Sequence, residues 1–341
     1  MRIAIAAVQV PFMRGGAEAL AQGLRNAIRN AGHEVDIISL PFRYFPESEI
    51  LRSIDVWESE DFTRLNYYEP DRVICLNFPT FYLNHPKKCS WVLHQFRSAY
   101  DLYGLDDSQK LSDETRRVIV DKDTQHLGQC QSLFALSRTV ANRLKTYNGL
   151  NSEPLYHPPP HAELFYSAPH QPYIFVPSRL ESLKRQDLLI EAMRYIKSPV
   201  YAVISGMGGQ YGRLREMVKE YNLEQRIYFL GHTPQKELLA FYANALAVFF
   251  GPFNEDYGYI TLETMLSAKP LITCKDSGGP LEFIGDYSEG LVVEPDPKAV
   301  ADAIDRLADQ PDWAKAMGIN GRKKYDTLDL SWNKVVASLL A

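Results

Sequence analysis

The sequence has 341 residues, with 37 Lys and Arg against 42 Asp and Glu and a net charge of −5. Two domains of ordinary size are expected at that length, and 45% hydrophobic with 23% charged residues excludes wholesale disorder. The slight acidic excess excludes the broad basic face of a nucleic-acid binder, although a diphosphate pocket needs only two or three cations.

Cys75, Cys89, Cys130 and Cys274 contain no short-spaced metal pair and read as small apolar core residues in a reducing compartment. The opening MRIAIAAVQVPF lacks a full leader pattern and reads as a first strand. No apolar run approaches the roughly 18 residues of a membrane span, so a cytoplasmic protein is expected.

The chain opens with a strand at Arg2–Val10, a turn at Pro11–Gly16 and a helix at Glu18–Ala31 with Leu20, Leu24 and Ile28 on one face. Strands follow at Glu34–Leu40, Arg72–Leu76, Trp91–His94 and Ser132–Ala135. Strands alternating with helices predict a parallel sheet covered on both faces. The stiff run from Pro154 to Pro160 suits a linker. A second series then begins, with strands at Tyr173–Val176, Val200–Ser205, Arg226–Leu230, Ala247–Phe250, Pro270–Cys274 and Gly290–Val293. Its helices include Lys184–Tyr195, Arg213–Tyr221, Pro297–Ala308 and Trp313–Tyr325, and Trp332–Leu340 forms a last short helix. Two doubly wound halves joined by a hinge are expected to place a ligand cleft at the carboxyl ends of their sheets.

The strongest chemical signal is Gly251 to Met265, GPFNEDYGYITLETM, which follows one strand and opens a helix near Thr261. Amides at a helix N-terminus favour a phosphate, and Glu263 in the first turn could accept from both ribose hydroxyls. A capping Glu263 and an exposed Glu255 are the plainer reading of each glutamate alone. Arg179 and Lys184, in the block PSRLESLKRQD, offer a planar fork and a point charge that could straddle a diphosphate. Cations held there favour the transition state as the leaving group gains charge; the plainer reading is a solvated charge run. Arg14-Gly15-Gly16-Ala17-Glu18 opens the first helix and is either a binding loop or a tight turn. His94 follows a strand and suits a sugar hydroxyl or a structural role equally. Ser277-Gly278-Gly279-Pro280 is a further loop for phosphate or sugar.

Asp106-Asp107 and the Asp121/Asp123 pair lie in polar stretches without a preceding apolar strand. A metal that bridges a diphosphate would want such a pair after a strand. No metal is therefore expected, and Arg179, Lys184 and helix dipoles take its place.

Gly15-Gly16-Ala17-Glu18, His94, Ser178-Arg179-Leu180 to Lys184, Phe229-Leu230-Gly231-His232, Glu255-x7-Glu263 and Ser277-Gly278-Gly279 occur in one order across nearly the whole chain. Together they resemble the retaining glycosyltransferases of family 4, an α/β class with the GT-B fold of two Rossmann-like domains facing across a cleft. Arg185 stands where that family usually has Gly, and Thr264 where it usually has Ala; neither change removes a polar ligand.

The resemblance implies an acceptor domain at 1–160, a nucleotide-sugar donor domain at 161–325, and a final helix within 326–341 packing back on the first. It implies that Arg179, Lys184 and the amides of Gly16, Thr261 and Leu262 grip the diphosphate. Glu263 would bind ribose, and main chain at Gly231 and His232 would read the base. Glu255, Asp256, Tyr257, Gly258 and His94 would line the sugar. His94, Glu255, Arg179 and Lys184 form the expected catalytic set.

A UDP-linked hexose, glucose first, is the expected donor, with a saccharide or lipid-linked saccharide as acceptor, no cofactor, and retention by front-face substitution. Rival readings are a nucleotide-sugar epimerase or hydrolase of the same fold and a non-catalytic nucleotide-binding protein. A dinucleotide oxidoreductase is disfavoured because QVPFMRGGAE lacks G-x-G-x-x-G. A monomer or dimer is expected. Arg138, Arg143 and Lys145 on a helix offer weak peripheral membrane contact, with a solvated face as the plainer reading.

Overall fold

The computed structural model describes residues 1–12, 15–63, 65, 67–105 and 110–341. They divide into two compact units, Met1–Pro160 with Leu330–Ala341, and His161–Asp329.

In the first unit the elements run β1 (Arg2–Gln9), α1 (Gly16–Asn30), β2 (Glu34–Pro41), α2 (Glu47–Ser59), β3 (Arg72–Cys75), β4 (Lys88–Val92), α3 (Asp113–Gly128), β5 (Ser132–Ala135), α4 (Arg138–Asn148) and β6 (Glu153–Pro154). The six strands form a parallel sheet of order β2-β1-β3-β4-β5-β6. Ile3–Ala7 is buried throughout, as a strand covered on both faces requires. Ile50, Ile54 and Trp57 give α2 its buried stripe.

Three sequence expectations are corrected here. The strand expected at Trp91–His94 is β4, which begins at Lys88. Lys88 is buried and its ammonium donates to the carbonyls of Phe81 (2.7 Å) and Leu83 (3.2 Å), so a polar start to the strand is satisfied rather than excluded. Asp123 lies within α3, fully buried, and accepts from the hydroxyls of Tyr82 and Tyr100. Burial pushes its carboxyl up to about 7, against the two tyrosine bonds; it is a core polar group. Arg143 sits on the buried stripe of α4 with Val140 and Leu144 and pairs with Asp101 at 3.3 Å. It therefore shares no exposed face with Arg138 and Lys145.

In the second unit the order is β7 (Tyr173–Pro177), α5 (Gln186–Ala192), β8 (Tyr201–Ser205), α6 (Tyr211–Glu220), β9 (Ile227–Gly231), α7 (Gln235–Asn244), β10 (Ala247–Phe249), α8 (Tyr259–Leu266), β11 (Leu271–Cys274), β12 (Gly290–Val293), α9 (Pro297–Asp309) and α10 (Pro311–Thr327). Its parallel sheet has the order β12-β11-β10-β7-β8-β9. Ile174, Phe249 and Ile272 of the central strands share one core with Leu189, Ile190, Ile304 and Leu307 of the covering helices. Because α10 continues through Thr327, the second division falls at Leu330 rather than 326. No described helix is long and apolar enough to cross a membrane.

The chain then forms α11 (Trp332–Leu340), whose Val335, Val336 and Leu339 are buried in the first unit. Trp332 lies over Gly23 of α1, where a Cβ would come within 2.4 Å of its ring. Its ring also meets those of His157 (5.3 Å) and Trp91 (6.5 Å). Arg72 donates to the carbonyls of Leu339 (2.8 Å) and Ala341 (2.9 Å), filling acceptors at the helix end. Gly23→Val is accordingly expected to destabilise the protein by about 1–3 kcal/mol through overpacking, read as a lower urea midpoint. Adding Trp332→Ala should cost less than the sum of the two single changes, because it removes the clash.

Candidate active site

Strands β7, β10 and β11 are neighbours and all parallel, so the loops leaving their carboxyl ends lie side by side. Between β7 and β10 the strand order reverses direction, the place where doubly wound sheets bind ligands. The β7 loop carries Arg179 and Lys184, the β10 loop Glu255, and the β11 loop Ser277-Gly278-Gly279.

The structure brings Lys184 and Glu255 together, Nζ to Oε2 at 2.5 Å, with 17% and 20% of the side chains exposed. The ammonium also lies 5.5 Å from the centre of the Phe250 ring. Arg179 is exposed on the same edge, its carbonyl held by Gln186 Nε2 at 2.9 Å. The paired glycines after β11 serve close packing. A Cβ on Gly278, which has φ +72°, would come within 2.7 Å of the Glu255 carbonyl, and the Gly279 amide donates to that carbonyl at 2.7 Å.

Helix α8 begins at Tyr259, two residues before the expected start, because Gly258 at φ +84° supplies the cap. The Thr261 amide accordingly donates to the Gly258 carbonyl at 3.0 Å, and Leu262 is wholly buried one residue further in. Glu263 is the fifth helical residue rather than one of the first turn. Glu263 is partly buried as a residue, and its carboxyl accepts from Tyr242 Oη at 2.5 Å. Desolvation pushes it up to about 7, partly offset by that bond. Asp256 is partly buried, whereas the Tyr257 ring is 4% exposed and packs edge-on to Tyr259 and Phe283. That ring belongs to the core, whereas the Glu255 carboxylate of this loop is turned toward Lys184.

Gly231, at φ +68°, ends β9 at the edge of the sheet, and exposed His232 follows it. In the first unit, Gly16 opens α1 and the Gly15 amide donates to Glu18 Oε2 at 2.7 Å, a capping contact. His94 lies two residues past β4, half-buried, with Nδ1 3.0 Å from the Gln95 carbonyl. A carbonyl only accepts, so Nδ1 is the donor in that contact. Arg14, Asp106 and Asp107 lie outside the described residues. Among the described residues, no group of three or more His, Cys, Asp or Glu is arranged to hold a metal ion.

One residue of this edge has no role in the sequence reading. Arg185 follows Lys184 with φ +50°, and its guanidinium binds Asp276 through two bonds, at 2.6 and 2.8 Å. It also donates to the carbonyls of Gly251 and Pro252, both at 2.7 Å. In the sequence it is marked by its place beside Lys184 and by standing where the resembled family usually has Gly.

Residues 166–324 match the family Glycosyl transferases group 1. The chain is 33% identical over 114 residues to human alpha-1,3/1,6-mannosyltransferase ALG2, covering 33% of this chain and 27% of that protein. It is 29% identical over 180 residues to the D-inositol 3-phosphate glycosyltransferase of Corynebacterium glutamicum, covering 50% and 42%. The matches thus span less than half the length of these two relatives. Sucrose-phosphate synthase from Thermosynechococcus elongatus superimposes with a TM-score of 0.82 at 20% identity, over 99% of this chain and 98% of that one. Anabaena HepE in complex with UDP and glucose gives 0.73 at 16% identity, over 100% and 99%. The chain has the two-domain α/β fold of these structures, the GT-B fold.

Proposed function

We propose that this chain, whose residues 166–324 match the group 1 glycosyl transferases, moves a hexose from a nucleotide diphosphate sugar to a saccharide or lipid-linked saccharide. The observation that carries the reading is the Lys184–Glu255 pair at the switch point of the second sheet, with Arg179 and the start of α8 on the same edge. A diphosphate seated there meets Lys184, Arg179 and helix amides, and departs as a stabilised anion. Glu255, relieved of Lys184, then accepts from a sugar hydroxyl, and Glu263 from the ribose. These cations do the work a metal would otherwise do on the leaving phosphate. Glucose carried on UDP is the first donor to try, supported by the UDP-glucose complex of Anabaena HepE.

The transfer retains the anomeric configuration in this reading. The leaving phosphate takes the acceptor's proton on the face it vacates, since Glu255 is assigned to a sugar hydroxyl rather than to nucleophilic attack.

The test is isothermal titration with UDP, GDP and ADP without added metal. One nucleotide is expected to bind in the micromolar range, and Arg179→Ala or Glu263→Ala to abolish that binding. Absence of binding by all three overturns the donor site. Activity is expected to survive EDTA; loss restored only by Mg²⁺ or Mn²⁺ overturns the metal-free route.

A further inference from the structure

The Arg185–Asp276 pair is not consumed by any step above, yet it touches every loop on which the donor reading rests. Arg185 is placed by a left-handed residue, φ +50°, a backbone state that an arginine holds only when its surroundings compensate. The compensation is visible. Nε donates to Gly251 O at 2.7 Å, Nη2 to Pro252 O at 2.7 Å, and Nη1 and Nη2 to the two Asp276 oxygens. Gly251 and Pro252 lie near the start of the Glu255 loop, and their carbonyls lie beyond the end of β10. The next three amides of that loop are tied in turn. Phe253 donates to Leu183 O (2.8 Å), Asn254 to Asp276 O (2.8 Å) and Glu255 to Ser277 O (2.9 Å).

We propose that Arg185 and Asp276 are positioning residues for donor-sugar turnover, a clamp that holds the Glu255 carboxylate in register with Lys184. This rests on the reading of Lys184 and Glu255 as donor-site groups. The guanidinium fork is what the clamp needs. It bridges one carboxylate and two carbonyls in fixed directions, which a lysine ammonium does not reproduce. Neither clamp residue is assigned a contact with the nucleotide, so nucleotide affinity and turnover should separate.

The experiment compares wild type with Arg185→Gly, Arg185→Lys, Asp276→Asn and the double variant Arg185→Gly/Asp276→Asn. Three quantities are read: UDP and GDP affinity by calorimetry, nucleotide release from UDP-glucose and GDP-mannose in water, and thermal unfolding. Glycine removes the side chain and the backbone strain together, so Arg185→Gly is expected to stay folded. It should bind nucleotide within about twofold of wild type and release it at least tenfold more slowly. Lysine is expected not to rescue, and the double variant to be no slower than the worse single one, because both act on one loop. Wild-type turnover in Arg185→Gly overturns the clamp, as does a parallel fall of affinity, turnover and Tm, which marks a residue that merely supports folding. A wild-type protein that binds none of UDP, GDP and ADP overturns the donor reading beneath it, a result distinct from either of those.

Discussion

Lys184→Ala is expected to lower turnover about 30- to 150-fold, the equivalent of about 2–3 kcal/mol for one charge-assisted contact made as the leaving group ionises. The ammonium is the partly buried partner of Glu255 at 2.5 Å, so its removal has a second effect. An uncompensated carboxylate is left beside the proposed diphosphate site, and like charges repel there. Nucleotide affinity should therefore fall in Lys184→Ala and partly recover in Lys184→Ala/Glu255→Gln, while turnover recovers in neither. A double-mutant cycle on affinity isolates that repulsion. Near wild-type turnover in Lys184→Ala would remove the diphosphate from this edge.

Glu263 makes the second large prediction, because its two consequences run in opposite directions with pH. Burial raises its carboxyl from the ordinary 4.5 to about 7, so the folded protein holds a proton that the unfolded chain has released. The stability this contributes is complete below 4.5 and lost as pH rises through about 7. Glu263→Gln is therefore expected to unfold at a higher temperature than wild type at pH 8, by a margin that vanishes near pH 4. The upper bound is about 3–4 kcal/mol, at about 1.4 kcal/mol for each pH unit between the unfolded and folded values. Ribose hydroxyls are donors and need two acceptor oxygens, which the ionised form supplies. Wild-type nucleotide affinity should thus strengthen between pH 6 and pH 8, whereas the Gln variant should bind weakly across that range. Phosphate ionisation affects both proteins alike and cancels in the comparison. Superimposable pH profiles for the two would refute the coupling.

The parallel architecture was legible because its strands are short apolar runs. The expected and observed limits of β5, β12 and α11 coincide. Helix α2 carries a readable spacing in Ile50, Ile54 and Trp57, and Gly258 before Tyr259 is a readable cap for α8. The start of β4 was not legible, since Lys88 is tolerated there only through carbonyls supplied by a preceding turn. Arg143 looks like a surface cation until Asp101 is brought beneath it. At the site, Lys184 and Glu255 were both readable as loop residues after strands, but their pairing across 71 positions was not. Arg185 was the least legible residue of all. Its carboxylate partner is 91 positions away and its other partners are backbone carbonyls, which leave no trace in side-chain identity.

The chain leaves the first unit at Pro160 and re-enters it at Leu330. Synthesis order and architectural order therefore differ. The ribosome must deliver all of His161–Asp329 before Trp332 can settle over Gly23, a delay on the order of ten to thirty seconds at about 5–20 residues per second. Throughout it, the nascent first domain lacks the ring that packs against Trp91 and His157 and leaves that apolar surface open. A message truncated anywhere in the second half releases a first domain that cannot cover that surface, and chaperones and proteases read such apolar openings as unfinished protein.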